Sequence, residues 1–386
     1  MKNFNYFQPT EIIYGKGRIK ELSRSVKKYG NRCLLVTMPQ DSVLDPMYNR
    51  IKKILSDDNI EVEHFAKVAP NPTTDIVTAG ANMAKEFNAE VVIGLGGGSS
   101  MDTAKAIAVE ATHPGTSWDY LYFRENQPTE NTLPIIAVST TSGTGSQVTQ
   151  VAVVTNPEER NKSAIFNSII YPRTAIIDPE LMLTLPKTVT AQTGFDVFCH
   201  AFESVLHKNN SPLVDNLSWK AIEIVIDTLP HLLENLGDID ARAKMAFADT
   251  LAGLSIANAG VTLPHGIGMA ISGLYPHIAH GASLAIVYPA FTRFTYKNAL
   301  PQFARVGRIF NPSLAGDADE KLAEKSLDYV DEFLKKVGLN KTLKDFGMPE
   351  NEIELLAENS MILPDYTNNP RVATKEEMIQ LIINSY

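Results

Sequence analysis

Between residues 33 and 138, short β-rich runs alternate with segments of helical spacing. No other feature of the chain restricts its fold as much. Residues 33–37, 61–65, 90–93 and 133–138 read as strands, and residues 46–57, 75–87 and 100–110 as the helices between them. Strands joined through helices lie parallel and are covered on both faces. The first half therefore predicts an α/β, Rossmann-like domain with a mostly parallel sheet. After Asp178-Pro179 and Leu185-Pro186 the pattern changes, and from Thr188 apolar residues recur at spacings of three and four. Val197, Ala201 and Val205 are examples, as are Leu327, Val330 and Leu334. Beyond Thr188 β-rich runs are scarce, residues 284–288 being ambiguous between strand and helix, and residues 311–319 read as an exposed loop. A chain of 386 residues exceeds what one core usually covers. The expected division is an α/β domain over residues 1–185 and an all-α domain over residues 186–386.

Composition removes several function classes. A formal charge of −9 with no Lys/Arg-rich run leaves no basic face for nucleic acid. No apolar stretch approaches the ~20 residues of a membrane span, and the first residues lack a signal-peptide core. The two cysteines, Cys33 and Cys199, are far apart in unlike contexts, which points away from a disulfide framework and towards a reducing, cytoplasmic setting.

Two loops have the composition of ligand cradles. Gly94-Leu95-Gly96-Gly97-Gly98-Ser99-Ser100 follows a strand and opens a helix, where free N–H groups and the helix dipole attract an anion. Its spacing matches neither the G-x-G-x-x-G fingerprint nor the P-loop, and a tight structural turn has the same composition. Ser139-Thr140-Thr141-Ser142-Gly143-Thr144-Gly145-Ser146 ends the next strand, with hydroxyls suited to a ribose or phosphate, or to a capped polar turn. Both lie at carboxyl ends of strands in one open sheet, where such sheets bind ligands. Together they favour a dinucleotide.

Asp196 and His200 stand four residues apart, on one face of a helix, as ligands of one cation or as a capping Asp and a core histidine. Residues 263–281 add His265, His277 and His280, three of the chain's eight histidines, in apolar surroundings. No Lys, Arg, Asp or Glu occurs from residue 261 to 289. Such a cluster needs a partner from elsewhere, and a metal shared with Asp196 and His200 supplies one.

In their order along the chain these motifs resemble the iron-containing (group III) alcohol dehydrogenases, relatives of glycerol dehydrogenase and dehydroquinate synthase. The match runs from Pro9-Thr10-Glu11-Ile12-Ile13-Tyr14-Gly15 to Asn369-Pro370-Arg371. Its most specific parts are Gly96-Gly97-Gly98-Ser99 with Asp102 and Lys105, the hydroxyl run from Thr140 to Ser146, Asp196-x3-His200, His265, and His280-Gly281. The resemblance implies a site in a cleft between the two domains, with Asp196, His200, His265 and His280 holding Fe²⁺ or Zn²⁺. It implies NAD or NADP contacts from Met38, Asn71, Gly97, Gly98, Ser99, Asp102, Thr140, Thr141, Thr144, Ser146 and Lys162. Leu181 and Leu185 would wall the nicotinamide half. A small neutral alcohol or aldehyde as substrate, direct hydride transfer, and a homodimer or larger homo-oligomer follow from the same resemblance.

The sequence departs from that family in two places. Many members carry a proton-relaying histidine four residues after the third ligand, where this chain has Met269, which cannot exchange a proton. His277 or an ordered water chain is the expected substitute, with a packing role for His277 as the other reading. NAD-preferring relatives often carry Asp after the strand at residues 34–36, where this chain has Thr37-Met38-Pro39. Asp41 lies close by, and no Lys or Arg follows immediately, so NAD and NADP both stay open. Two other activities known in this superfamily, dehydroquinate synthase-like and hydroxyacid-oxoacid transhydrogenase, need anionic substrates. The segments around the four ligands hold no Arg or Lys to bind them.

Overall fold

The computed structural model describes residues 2–386 and divides into two compact units. One comprises Phe7–Pro186 and Leu236–Ala246, and the other Lys187–Asn235 and Phe247–Tyr386 with the N-terminal segment through Tyr6.

The first unit is built on eight strands: β1 (Glu11–Tyr14), β2 (Arg32–Val36), β3 (Glu61–Phe65), β4 (Val91–Gly96), β5 (Ile135–Ser139), β6 (Val151–Asn156), β7 (Asn161–Phe166) and β8 (Thr174–Ile177). Six form one sheet in the order β1-β8-β5-β4-β2-β3, and every pairing in it is parallel. Helices α1 (Leu22–Val26), α2 (Asp45–Asp57), α3 (Thr74–Phe87) and α4 (Gly98–Glu110) connect them. Alternate residues of β2 enter different cores, Leu34 and Val36 with Val77 and Ile107, Cys33 and Leu35 with Ile51 and Ile93. A strand apolar on both faces needs such two-sided cover, and here it receives it.

The predicted α/β class and parallel sheet are thus present, with additions. The four-residue β1 and β8 extend one edge, and β6 and β7 form an antiparallel hairpin. None of these was anticipated: β1 and β8 have only four residues each, and the turn that joins the six-residue β6 and β7, at residues 157–160, has neither Gly nor Asn. Arg160 carries the left-handed φ of 47° there instead.

The second unit is helical, with α5 (Lys187–Leu206), α6 (Pro212–Glu234), α7 (Ile239–Asn258), α8 (Leu263–Leu274), α9 (His280–Thr295), α10 (Leu300–Phe310), α11 (Asp319–Lys336), α12 (Ile353–Ser360) and α13 (Lys375–Ile383). The start of α7 belongs to the first unit, where Ala246 packs with Ile177 and Met182. The run at residues 284–288 is the middle of α9 and not a strand. A short run buried on every side has no amphipathic period to betray its conformation. Helix α5 organises the unit through two faces. Phe195, Phe198 and Phe202 form one, packed with Tyr288, Phe310, Phe333 and Phe303. Asp196, His200 and Glu203 form another.

Candidate metal centre and cofactor loops

Buried polar residues on α5 require partners, and these come from α8 and α9. His265 lies in the first turn of α8, and His280 is the first residue of α9. The Ser283 hydroxyl reaches the carbonyl oxygens of Gly268 (3.2 Å) and His280 (2.7 Å), tying the two helices together. Gly281 fixes α9 against α5, because a Cβ there would lie 2.3 Å from the Gln192 carbonyl oxygen.

One ligand atom from each of Asp196, His265 and His280 falls within 4.8 Å of the other two. His200 Nε2 and His265 Nε2 each lie 3.6 Å from Asp196 Oδ1, and the rings of His200 and His265 stack with centroids 4.6 Å apart. Asp196 Oδ1 and His265 Nε2 are both buried without a hydrogen-bond partner. Each orphaned atom costs about 1–3 kcal/mol unless something fills the space between them. Four ligands about 2.1 Å from a tetrahedral cation sit about 3.4 Å apart, so the 3.6 Å separations suit a shared ion. The donor set therefore fits a divalent metal.

Burial alone would raise the Asp196 carboxyl, but the charges of His200, His265 and His280 outweigh it and hold the group well below the usual carboxylate range. Burial alone would lower His265, but the Glu203 and Asp196 carboxylates carry it well above the ordinary imidazole range. Glu203 is the nearer brace: its Oε1 lies 2.7 Å from His265 Nδ1, and its Oε2 accepts from the Thr262 N–H at 2.8 Å. Asp365 lies beside Gly266 of α8. Burial pushes its carboxyl up to about 6, with His265 opposing the shift and Glu203 adding to it.

Sequence reasoning named neither carboxylate. Glu203 could have been found seven residues after Asp196, on the same face of α5. Asp365 had only its place just before Asn369-Pro370-Arg371. Met269 is buried one turn after His265. His277 is exposed, with Nε2 3.1 Å from the Phe346 carbonyl oxygen, so a relaying role would require it to leave that contact.

In the sheet unit, the glycine loop joins β4 to α4 and the hydroxyl loop leaves β5, the neighbouring strand. The loops touch. A Cβ on Gly97 would meet the Thr141 side chain at 3.0 Å, and one on Gly98 would meet Thr144 at 2.7 Å. Thr140 N donates to the Gly96 carbonyl, and Thr141 Oγ1 is buried without a hydrogen-bond partner above the loop. Gly97 to Ser99 form the start of a thirteen-residue helix, whose first N–H groups have no intrahelical acceptor. These features fit a dinucleotide's phosphates and ribose.

Behind them is a buried network. Lys105 Nζ donates to the carbonyls of Ser146 (2.7 Å), Thr149 (2.9 Å) and Val151 (2.7 Å). The Ser146 hydroxyl donates to Asp102 Oδ1 at 2.6 Å, and Val153 N donates to Asp102 Oδ2. Asp102 and Ser146 thus brace the hydroxyl loop from within. Asn71, at φ 53°, accepts from Lys162 Nζ at 2.9 Å, which joins two predicted contacts. Met38 packs against the core that holds Phe65 and Val77. Leu181 lies inside the other sheet core, and Leu185 packs on Ile177 and Met182.

A family model for the iron-containing alcohol dehydrogenases matches residues 9–179, and one for the C-terminal part of the Fe-containing alcohol dehydrogenase family matches residues 190–386. The chain is 31% identical over 381 residues to the NAD-dependent methanol dehydrogenase of Bacillus methanolicus, covering 99% of each. It is 31% identical to the NADPH-dependent butanol dehydrogenase of Clostridium saccharobutylicum, over 96% of this chain and 95% of that one. Among solved structures, an archaeal halo-thermophilic Red Sea brine pool alcohol dehydrogenase matches with a TM-score of 0.94 at 34% identity, over 100% of both chains.

Proposed function

The chain belongs to the iron-containing alcohol dehydrogenase family, and on that footing we propose that Asp196, His200, His265 and His280 hold its divalent metal while the glycine and hydroxyl loops carry its nicotinamide cofactor. It is a metal-dependent, NAD(P)-linked alcohol dehydrogenase interconverting alcohols and aldehydes. Three ligand atoms gathered within 4.8 Å, those of Asp196 and His265 buried without a hydrogen-bond partner, support the metal assignment most strongly.

When bound, the cation supplies Lewis acidity at the substrate oxygen, and the nicotinamide exchanges the hydride. Asp196 is the one carboxylate among the four ligands, so the set leaves a divalent site with net positive charge. No Lys, Arg, Asp or Glu from residue 261 to 289 adds a charge that would oppose that field. Met269 takes no part in proton exchange. An absence of Lys and Arg around the ligands favours a small neutral substrate. Fe²⁺ is the family's metal, and Zn²⁺ competes for the same donors.

Thr37 and Met38 follow β2 at the point where NAD-preferring relatives often carry a carboxylate that repels a 2′-phosphate, and Asp41 Oδ1 is engaged by the N–H groups of Val43 (2.9 Å) and Leu44 (2.7 Å). Neither a repelling carboxylate nor an attracting Lys or Arg next to Met38 in sequence fixes the choice between NAD and NADP, which parallel assays with NADH and NADPH read. Cys33 and Cys199 are free and buried, in keeping with a reducing cytoplasm. No single helix among the described residues is long and apolar enough to cross a membrane. Assembly into a homodimer or larger is read by light scattering.

The test is an anaerobic assay of Fe²⁺-loaded protein on short alcohols, aldehydes and diols with both cofactors. Turnover should disappear with the metal and in Asp196→Ala. Full turnover by metal-free protein would refute the assignment.

A further inference from the structure

We infer that Glu203 is a positioning residue that fixes His265 in the one tautomer able to offer Nε2 to the metal. This rests on the metal centre assigned above and goes beyond its four ligands. An imidazole can present a lone pair on only one nitrogen while the other carries hydrogen. Which nitrogen does so at His265 is decided by its neighbour. Glu203 Oε2 receives the Thr262 backbone N–H at 2.8 Å and lies 3.3 Å from the Thr262 hydroxyl. A backbone N–H can only donate, so Glu203 is an acceptor on that side. Its other oxygen, Oε1, lies 2.7 Å from His265 Nδ1. A carboxylate accepting at both oxygens obliges Nδ1 to keep a hydrogen, so Nε2 is the nitrogen that gives up its proton and lends its lone pair to the metal. That atom is buried, has no hydrogen-bond partner, and lies 3.6 Å from Asp196 Oδ1.

The arrangement follows from one helix face. Asp196, His200 and Glu203 are spaced four and three apart on α5, so the helix that donates two ligands also orients a third on α8. Thr262 immediately precedes α8, whose start has no side-chain cap of its own. The Glu203 carboxylate therefore sits at the positive end of the α8 dipole while it holds the ring. Charge points the same way. Asp196 and Glu203 are buried, and no Lys or Arg forms an ion pair with either among the described residues. One divalent ion balances both.

Glu203→Gln separates orientation from packing because it keeps the shape. The Gln amide has one acceptor and one donor end, so it cannot satisfy both neighbours. Turning its NH₂ to Thr262 sets donor against donor. Turning it to His265 moves the ring hydrogen to Nε2 and blocks the metal. The purified wild-type protein and E203Q are stripped, then titrated with Zn²⁺ against a competing chelator and with Co²⁺ by visible absorption. Thermal melting of both stripped proteins runs alongside. The expected result is a 10- to 100-fold loss of metal affinity and an altered Co²⁺ spectrum, with the stripped variant melting close to wild type. E203Q binding both ions as tightly as wild type, with an unchanged spectrum, would overturn the inference alone. Affinity lost only together with the fold would reduce Glu203 to a packing brace and overturn it too. A wild type with no stoichiometric metal would remove the metal centre itself.

Discussion

Adding one methyl group at Gly281 should empty the metal centre without altering a ligand. A Cβ at this position would stand 2.3 Å from the Gln192 carbonyl oxygen and 2.6 Å from its carbon. Both are backbone atoms of α5, so no side chain can turn aside. Ordinary contact between such atoms begins near 3.4 Å, which forces the start of α9 to retreat by about 1 Å. His280 is the adjacent residue and moves with it. Metal sites tolerate displacements of about 0.2 Å in a ligand, and about 1 Å of misplacement near a reacting centre costs on the order of 100-fold in rate. Overpacking itself costs about 1–3 kcal/mol, a fall of a few degrees in Tm. Gly281→Ala should therefore fold, lose most of its bound metal, and show kcat/KM for a short alcohol reduced about 100-fold. Gly316→Ala, where nothing lies within 4 Å, is the control and should match wild type. Metal analysis, steady-state kinetics and melting curves read the three quantities. Wild-type metal content with kcat/KM within twofold would show that α5 does not fix α9, and the positional reasoning would fail.

Lys105→Met strips three carbonyl acceptors, two buried and one part-buried, of their donor at once and should cost about 3–5 kcal/mol. Because those carbonyls brace the hydroxyl loop, NADH affinity measured by fluorescence titration should fall at least about tenfold. Unchanged affinity in a folded variant would separate Lys105 from the cofactor site. His207 supplies a pH-dependent term. Burial lowers its pKa to about 4, with Lys208 and Lys2 adding to the shift, and Asn209 N–H donates to Nδ1, which requires an unprotonated ring nitrogen. Below about 6.5 the unfolded chain binds a proton that the folded chain refuses. Stability is therefore intact above 6.5 and declines as pH falls towards 4, by up to about 3 kcal/mol. Urea unfolding of His207→Gln should show a flatter profile across that window, and an identical slope in both proteins would refute the attribution.

Much of the fold was legible because periodicity is a physical consequence of burial. The strands β2, β4 and β5 are buried on both faces and appear as continuous apolar runs, and the Gly97-Gly98 loop announced a strand-to-helix junction. The hairpin β6–β7 was not legible, since its turn uses Arg160 in place of a glycine. Nor was the helical state of residues 284–288, because a fully buried helix and a buried strand have the same composition over five residues. At the site, the four-residue spacing of Asp196 and His200 suited a cation or a capping Asp beside a core histidine, and only the family resemblance assigned them, with His265 and His280, as one ligand set. That α8 and α9 bring His265 and His280 to them depends on contacts such as Gly281 against Gln192, which no local pattern encodes. Glu203 escaped notice for a related reason. A carboxylate on a helix reads as a solvated charge until the residues packed over it, here Thr262 and His265, are known.

Anomalous diffraction from crystals loaded anaerobically with Fe²⁺ tests the central claim most directly. One strong peak at the iron edge, about 2.0–2.3 Å from atoms of Asp196, His200, His265 and His280, is the expected result. An active enzyme whose iron lies elsewhere, or whose crystals hold none between those four side chains, would contradict it.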